Sequence, residues 1–287
     1  MHIGLQIPDF TRPEGPPTLG PALAHVARTA DEQGFEYVAV MDHFFQIAAV
    51  GPAENDMLEA YTTLGFLAAH TTRAKLLTIV TGVHYRSPGL LAKIITTLDV
   101  LSGGRAWLGI GAGWNEEESL GLGFGFPPVS ERFELLEETL QICLQMWSDD
   151  ETPYEGKHFQ LHRPMNVPQS LTRPHPPIMI GGGGEKKTLR MVAKYADACN
   201  LFASPEVGHK LDVLKEHCER EGRNYDDIYK TAYYQFDTSA GIDKMRSDLK
   251  GLADLGFQAA LGVVRDVYSI TPLEMIGQEI IPEAAGW

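Results

Sequence analysis

The sequence predicts an α/β fold, a (β/α)8 TIM-like barrel with insertions at its C-terminal mouth. Eight short apolar runs alternate with segments of helical periodicity along the chain. The runs are apolar throughout instead of alternating with polar residues, which is typical of parallel strands covered by helices on their outer face. The length of 287 residues suits one barrel domain spanning residues 1–287, and an open doubly wound sheet is the alternative.

The predicted strands are read directly from these apolar runs. They are residues 3–7, 37–41, 76–83, 106–111, 177–181, 198–202, 228–236 and 258–264. The first run begins almost at the N-terminus. Because no basic region or cleavage site accompanies it, we interpret it as a strand and not as a signal peptide. The protein is therefore expected in the cytoplasm.

The helices between the runs have recognisable ends. The helix after the third run has apolar residues at helical spacing, namely Leu91, Ile94, Ile95, Leu98 and Leu101. Ser87 followed by Pro88 predicts the N-terminus of this helix, because serine caps helices and proline suits their first turn. Gly103 predicts its end, since glycine adopts the left-handed conformation that terminates many helices.

Two stretches, residues 112–129 and 148–176, interrupt the alternation of strands and helices. Insertions in a barrel usually build the active-site mouth or a lid, so both stretches are expected to shape the substrate pocket. The acidic segment EEES at residues 116–119 lies inside the first insertion. A charge run of this kind usually faces solvent, and we expect the same here.

Composition argues against several classes of function. A net charge of −14 argues against nucleic acid or an anionic membrane as a partner, because both require a broad basic face. No apolar run approaches the roughly 18 residues that a membrane-spanning helix needs. The cysteines lie far apart at Cys143, Cys199 and Cys218, and His158 and His162 lack a third ligand at suitable spacing. No metal site or disulfide is predicted.

The stretch IMIGGGGEKK, residues 178–187, places four glycines between a predicted strand and a predicted helix. Glycine lets the backbone approach a ligand closely, and the free amides at a helix N-terminus attract anions. Lys186, Lys187 and Arg190 can add positive charge nearby. We therefore predict a phosphate-binding loop whose amides lie between Gly182 and Lys186, with a tight strand-to-helix turn as the alternative.

Catalytic residues of barrels lie at the C-terminal ends of the strands, and two such ends carry informative residues. Asp42 and His43 follow the second run, where a histidine can donate or accept a proton near neutral pH. The alternative is a packed, hydrogen-bonded histidine under an aromatic loop. GIGAGW at residues 109–114 lacks the GxGxxG spacing of dinucleotide-binding proteins. Its small residues can admit a flat ring system, with simple barrel packing as the alternative.

Several longer motifs extend these signals over essentially the whole chain. They are VMDHFF, TGVHYRSP, KIITTLDVLSGGRAWLGIGAGWNEEE, RPHPPIMIGGGGEKKTLRMVAKYADACN and PLEMIGQEIIP. With this combination the chain resembles the bacterial luciferase-like monooxygenase superfamily, and within it the actinobacterial-type branch of coenzyme F420-dependent oxidoreductases. The resemblance implies a flavin-type cofactor at the barrel mouth, with its phosphate on the loop after the fifth strand.

The resemblance also implies roles for single residues. His43 is expected near the reactive carbon of the cofactor, where it assists proton transfer, and Asp42 is expected to orient polar edge groups. A non-prolyl cis peptide bond that braces the central ring is expected at Gly82–Val83. The residues expected around the cofactor are Asp42, Thr81, Gly82, Val83, Gly111, Ala112, Gly113, Trp114, Asn115, Gly181, Gly182, Gly183, Gly184, Glu185 and Lys186.

The function implied by the resemblance is hydride transfer between deazaflavin C5 and a small organic substrate, in a protein expected to form a homodimer. Relatives that act on sugar phosphate or alcohol carry a carboxylate at the position of Trp114, and this departure argues against a glucose-6-phosphate dehydrogenase. An FMN-dependent two-component monooxygenase is the first alternative. The second is a flavin-binding protein without turnover, because a barrel can retain a cofactor site after losing its chemistry.

Overall fold

The computed structural model describes all residues from Met1 to Trp287, and its centre is a nine-stranded parallel sheet. The strands are β1 (His2–Ile7), β2 (Tyr37–Val40), β3 (Lys75–Thr78), β4 (Thr81–Gly82), β5 (Leu108–Gly111), β6 (Tyr154–Glu155), β7 (Gln160–Leu161), β8 (Ile178–Gly181), β9 (Ala198–Phe202), β10 (Tyr229–Tyr233) and β11 (Ala259–Val263). The sheet order is β3-β2-β1-β11-β10-β9-β8-β5-β4, while β6 and β7 form a separate antiparallel hairpin. Leu76 pairs with Ala106 and closes the sheet into a barrel.

Helices follow the strands and cover the outside of the barrel. They are α1 (Leu19–Glu32), α2 (Ala60–Ala68), α3 (Pro88–Ser102), α4 (Glu116–Gly121), α5 (Val129–Trp147), α6 (Thr188–Tyr195), α7 (Val207–Glu221), α8 (Ile242–Asp254), α9 (Thr271–Glu279) and α10 (Ile281–Ala284). Helix α3 begins at Pro88 and is followed by the left-handed Gly103, as the sequence predicts, but the side chain of Ser87 makes no capping hydrogen bond. No helix combines the length and apolar composition that crossing a bilayer requires.

Two hydrophobic clusters hold the fold together. The larger contains 60 buried residues and fills the space between the sheet and the helices. The smaller lies within the barrel and consists of Tyr37, Ala39, Leu77, Met179, Ala198, Ala259 and Leu261. Because both faces of each strand are buried, the strands need apolar side chains on both sides. This requirement explains the unbroken apolar runs, and the predicted TIM-like barrel is confirmed.

The third strand of the barrel is split in two, which the sequence did not predict. Strand β3 pairs with β2, whereas β4 pairs with β5 on the other side. A cis peptide bond joins Ile79 to Val80 between the two pieces. The predicted cis bond at Gly82–Val83 is therefore wrong, since the interruption precedes this bond in the chain. Gly82 instead has φ of −74° and caps a short 3-10 turn that begins at Val83.

A glycine on the neighbouring strand makes room for this interruption. A Cβ atom at Gly109 would lie 1.9 Å from the carbonyl oxygen of Thr78. Real side chains never approach a backbone oxygen so closely, so β5 must carry glycine at this point. The feature that permits the break thus lies in a different strand from the break itself.

Replacing Gly109 with alanine is expected to lower the free energy of unfolding by about 1–3 kcal/mol, the usual cost of overpacking. Urea denaturation measures the change. Gly65→Ala is the matched control, because Gly65 lies on exposed helix α2 with no neighbouring atom within 4 Å of the added Cβ. That control should stabilise by about 0.5–1 kcal/mol. Equal effects of the two substitutions would contradict the close contact.

Candidate active site

A cavity of about 760 Å³ opens at the C-terminal ends of the barrel strands. Ten of the predicted site residues line it, namely Asp42, His43, Thr81, Gly82, Gly111, Ala112, Gly113, Trp114, Gly181 and Gly182. The remaining predicted residues, Val83, Asn115, Gly183, Gly184, Glu185 and Lys186, lie outside its wall. Strands β2, β4, β5 and β8 therefore bring most of the predicted site together.

Val80 contributes to this cavity, although sequence reasoning missed it. Its side chain lies against the ends of two neighbouring strands, where Cβ atoms at Gly111 and Gly181 would be 3.1 and 2.8 Å from Val80 methyl carbons. The two glycines thus leave space for Val80 as well as for a ligand. A pair of glycines at the ends of adjacent strands was the signal available in the sequence.

His43 is held by a carboxylate that the charge pattern of the sequence predicts on a solvated face. Its Nδ1 atom lies 2.5 Å from Oε1 of Glu118, whose side chain is fully buried. Glu118 also accepts hydrogen bonds from the backbone amides of Phe44 and Phe45, at 2.7 and 3.1 Å, and from the hydroxyl of Tyr85. The expectation that residues 116–119 face solvent is wrong for Glu118 and also for Ser119, which is fully buried.

These contacts determine the charge of Glu118. Burial acts to raise the pKa of its carboxyl, but the hydrogen bonds from His43, Tyr85 and the Phe44 amide outweigh burial and lower that pKa. Burial and the Glu118 contact raise the pKa of Tyr85, so the tyrosine stays protonated as a donor. Since an ionised carboxylate can only accept, Nδ1 of His43 carries the proton. The other ring nitrogen, Nε2, has no partner in the protein, and His43 lines the cavity.

Helix α4 positions Glu118 through its first turn. Asn115 is the N-cap, and its side chain accepts a hydrogen bond from the Glu118 amide at 3.4 Å. Asn115 therefore acts as a helix cap, which explains its place outside the cavity wall. On the inner side of the helix, Ser119 contacts Nε2 of His84 at 2.8 Å. Burial lowers the pKa of His84 to about 4, so this ring is neutral at pH 7.

Gly113 is required where the chain enters this helix. Its φ is +75°, and a Cβ atom there would lie 2.4 Å from Cε1 of His84. Glycine adopts this backbone conformation without strain and leaves room for the ring. Beside it, the ring of Trp114 lies edge-on to His43 with centroids 5.3 Å apart. The first insertion thus supplies both Glu118 and a wall residue next to His43.

Asp42 is engaged in an ion pair. Both of its carboxylate oxygens accept from Arg86, at 2.6 and 3.0 Å, and Arg86 also bonds Glu59 at 2.5 Å. Burial raises the pKa of Asp42, and Arg86 opposes that rise. The Arg86 guanidinium also lies 4.6 Å from the ring centre of Tyr61. Asp42 therefore fixes the end of β2 against the turn after β4, and no sequence pattern indicates this partner.

The glycine-rich loop leaves a set of backbone donors free. Gly182, with φ of +115°, donates its amide to the carbonyl of Asn200 at 3.0 Å, so it is not available for a ligand as predicted. The amides of residues 183–186 donate to no protein acceptor. Helix α6 begins just beyond them at Thr188, with no side-chain cap on its N-terminus. The arrangement presents free N–H groups and the positive end of a helix dipole.

Two of the three cations that the sequence singles out near this loop contact other residues. The amine of Lys187 lies 5.3 Å from the ring centre of Phe133, and Arg190 pairs with Glu221. Lys210 of α7 also lies beside the glycines. A Cβ atom added at Gly183 would be 3.8 Å from Cε of Lys210. Its Nζ atom is 2.5 Å from Glu185. Only packing of α7 against α6 reveals this residue, so no local sequence pattern could indicate it.

The second insertion, residues 148–176, does not reach the cavity, and the expectation that it shapes the pocket is wrong. None of its residues lines the wall. Backbone amides at its hairpin donate to Glu138 of α5, at 2.7 Å from Lys157 and 3.0 Å from Phe159. Farther along, the amides of Leu171 and Thr172 donate to Asp99 of α3. These buried or half-buried carboxylates hold the insertion against the outside of the barrel.

Comparison with known proteins shows the family of this chain. A family model described as luciferase-like monooxygenase matches residues 1–261. The chain belongs to the luciferase-like monooxygenase family. This confirms the resemblance and makes the protein an oxidoreductase.

The luciferase-like chain has relatives of known and unknown activity. It is 32% identical over 210 residues to an uncharacterized protein of Mycobacterium tuberculosis, covering 69% of this chain and 71% of that protein. It is also 32% identical over 222 residues to the F420-dependent glucose-6-phosphate dehydrogenase of Kineococcus radiotolerans, covering 73% of this chain and 61% of that enzyme. The coenzyme F420-dependent tetrahydromethanopterin reductase of Methanopyrus kandleri has the same fold, with a TM-score of 0.80, 19% identity and coverage of 98% and 99% of the two chains.

Proposed function

We propose that this luciferase-like protein is an F420-dependent oxidoreductase that moves a hydride between deazaflavin C5 and a small organic substrate. The observation that carries the proposal is the His43–Glu118 pair at the edge of the cavity, which leaves Nε2 of His43 without a protein partner. A histidine so placed can accept or donate one proton in each reaction. The F420-dependent enzymes among the relatives support the cofactor.

The residues of the mouth fit such a cofactor. Gly111 and Gly181 leave the floor around Val80 open to a flat ring, because no side chain projects from either strand end. The free amides of residues 183–186, together with Lys210, offer donors to a phosphate. We assign the predicted residues Gly183, Gly184, Glu185 and Lys186 to this phosphate end, and the ten lining residues to the ring end.

The chemistry balances with His43 as the only protein acid–base group. When bound, the deazaflavin supplies a carbon that takes or gives a hydride. If the substrate is an alcohol, its C–H bond breaks with both electrons leaving as hydride, its O–H proton passes to Nε2 of His43, and a carbonyl forms. In the reverse direction His43 returns the proton to the oxygen. Glu118 stabilises the imidazolium in either direction, since its carboxylate lies 2.5 Å from Nδ1.

Two predictions made from the sequence remain proposals. We propose that the protein acts as a homodimer in the cytoplasm. Size-exclusion chromatography with light scattering tests the first, and cell fractionation tests the second.

Titration of the cofactor-free protein with F420 and with FMN tests the cofactor. We expect saturable F420 binding, followed by quenching of deazaflavin fluorescence, and weaker FMN binding. Lys210→Ala should raise the F420 dissociation constant about tenfold, because one charge-assisted hydrogen bond is worth about 1.4 kcal/mol or more. Lys215→Ala, an exposed change on the same helix, is the control and should leave binding unchanged.

Tight FMN binding without F420 binding would instead favour a two-component monooxygenase. Cofactor binding without any reduction or oxidation, tested with alcohols, enones and nitro compounds, would favour a binding protein that lacks turnover. An unchanged F420 affinity in Lys210→Ala would remove this lysine from the phosphate site.

A further inference from the structure

We propose that the substrate of this site is an uncharged, largely apolar organic molecule with one hydrogen-bonding group, and that sugar phosphates do not bind there. The inference rests on the proposed function and adds the substrate class to it. It comes from the wall of the 760 Å³ cavity, which contains no lysine and no arginine.

The charged groups near the wall are already neutralised by each other. Asp42 is the only carboxylate in the wall, and both of its oxygens bind Arg86. Arg86 lies behind Asp42 with 8% of its side chain exposed and does not line the cavity. Any positive charge on His43 is balanced by Glu118. A phosphate dianion placed here would lose its hydration without gaining a cation, which is strongly unfavourable.

The net charge of the protein also disfavours binding of an anionic substrate. A protein with a net charge of −14 repels anions unless a local basic patch attracts them. The local patch near the mouth consists of the free amides of residues 183–186 and Lys210, which is paired with Glu185, and it lies outside the cavity wall. The proposed function assigns that patch to the phosphate of the cofactor. No second anion site remains for a substrate.

Of the 25 residues that line the cavity, 12 are hydrophobic. They include Ile47, Val50, Trp114, Phe202 and Val263. Trp114 is 61% exposed and Phe202 is 68% exposed, although both are large aromatic residues. Exposed aromatic residues at the entrance of a concave cavity are typical of a site that binds apolar ligands.

The polar side chains in the wall are mostly bonded to the protein. Gln6 donates to the carbonyl of Ile79 at 2.9 Å and accepts from the hydroxyl of Tyr233 at 2.6 Å. Asn200 donates to Thr231 at 2.9 Å. Nε2 of His43 and the side chains of Gln235, Thr188 and Trp114 make no hydrogen bond to the protein. A sugar with many hydroxyl groups would find few partners, whereas an alcohol or ketone needs only one or two.

Ligand binding to the F420-loaded protein tests the inference by a readout that does not depend on turnover. Isothermal titration uses the straight-chain primary alcohols from butanol to octanol, with glucose 6-phosphate as the anionic probe. We expect affinity to rise about fourfold for each added methylene, as apolar burial predicts, and no measurable binding of glucose 6-phosphate.

Two variants place the same charge inside and outside the wall. Val50→Arg adds a cation to the wall and should weaken octanol binding about tenfold while giving measurable binding of glucose 6-phosphate. Ala48→Arg is the control, because Ala48 is exposed on the same loop but does not line the cavity. It should leave both affinities unchanged.

The outcomes separate this inference from the proposed function. Binding of glucose 6-phosphate to the F420-loaded wild type, or no binding of any alcohol, would overturn the substrate class while leaving the cofactor assignment intact. Failure of F420 to bind at all would instead overturn the proposed function. A rise in alcohol affinity with chain length, lost in Val50→Arg and kept in Ala48→Arg, supports the inference.

Discussion

Replacing His43 with alanine is expected to lower kcat about a hundredfold to ten-thousandfold, the usual contribution of a general acid–base residue, while F420 affinity stays nearly unchanged. The physical reason is that Nε2 of His43 is the one acid–base atom in the cavity wall without a protein partner, and Glu118 holds the ring from the other side. Steady-state kinetics with a reactive alcohol or ketone, together with F420 titration, measures the two effects separately.

Added imidazole distinguishes an acid–base role of His43 from a purely structural one. Because the truncated side chain leaves a space beside the cavity, imidazole should restore part of kcat in His43→Ala. His25→Ala, an exposed change on α1, is the control and should behave as the wild type. In Glu118→Gln the ring remains but loses its ionic partner, so kcat should fall with little change in F420 affinity. Unchanged kcat in His43→Ala would exclude His43 from the chemistry.

Replacing Arg86 with methionine is expected to lower the free energy of unfolding by about 3–5 kcal/mol, the cost of leaving a buried charge without its partner. Asp42 is fully buried, and Arg86 supplies hydrogen bonds to both of its oxygens. Methionine keeps much of the packing against Tyr61 but cannot balance the carboxylate. Urea denaturation at neutral pH measures the loss.

The second substitution Asp42→Asn identifies the cause of this loss. In the double variant no buried charge remains, so the Asp42→Asn/Arg86→Met protein should recover a large part of the lost stability. Arg190→Met, which removes an exposed ion pair with Glu221, should leave stability nearly unchanged. A small effect of Arg86→Met would mean that Asp42 takes up a proton or reaches water more easily than its burial indicates.

The barrel was predictable because the burial of each strand is visible as an apolar run in its own sequence. The run at residues 198–202 is apolar except for Asn200, and the observed strand β9 has the same bounds. The split of the third strand was not predictable, since it depends on contact between Thr78 and Gly109 in different strands. Likewise, Asp99 and Glu138 attract the second insertion to the outside of the barrel, and nothing within residues 148–176 indicates those partners.

The sequence predicts those site residues that directly follow the end of a strand. His43 follows a strand end, so the rule for barrels places it at the mouth. Glu118 belongs to a run of three glutamates, and only the orientation of helix α4 decides that this one is buried while its two predecessors are exposed. Lys210 lies on a helix that is separated in sequence from the glycines. Tertiary packing, which a local pattern cannot record, selects both residues.

The first insertion couples two properties that are often altered separately in enzyme engineering. Trp114 lines the cavity beside His43, and Glu118, four residues later, holds Nδ1 of His43. A loop exchange or a backbone shift meant to enlarge the entrance will therefore also displace the carboxylate. Single side-chain changes near Val50, on the loop after β2, are expected to alter substrate binding without displacing the His43–Glu118 pair.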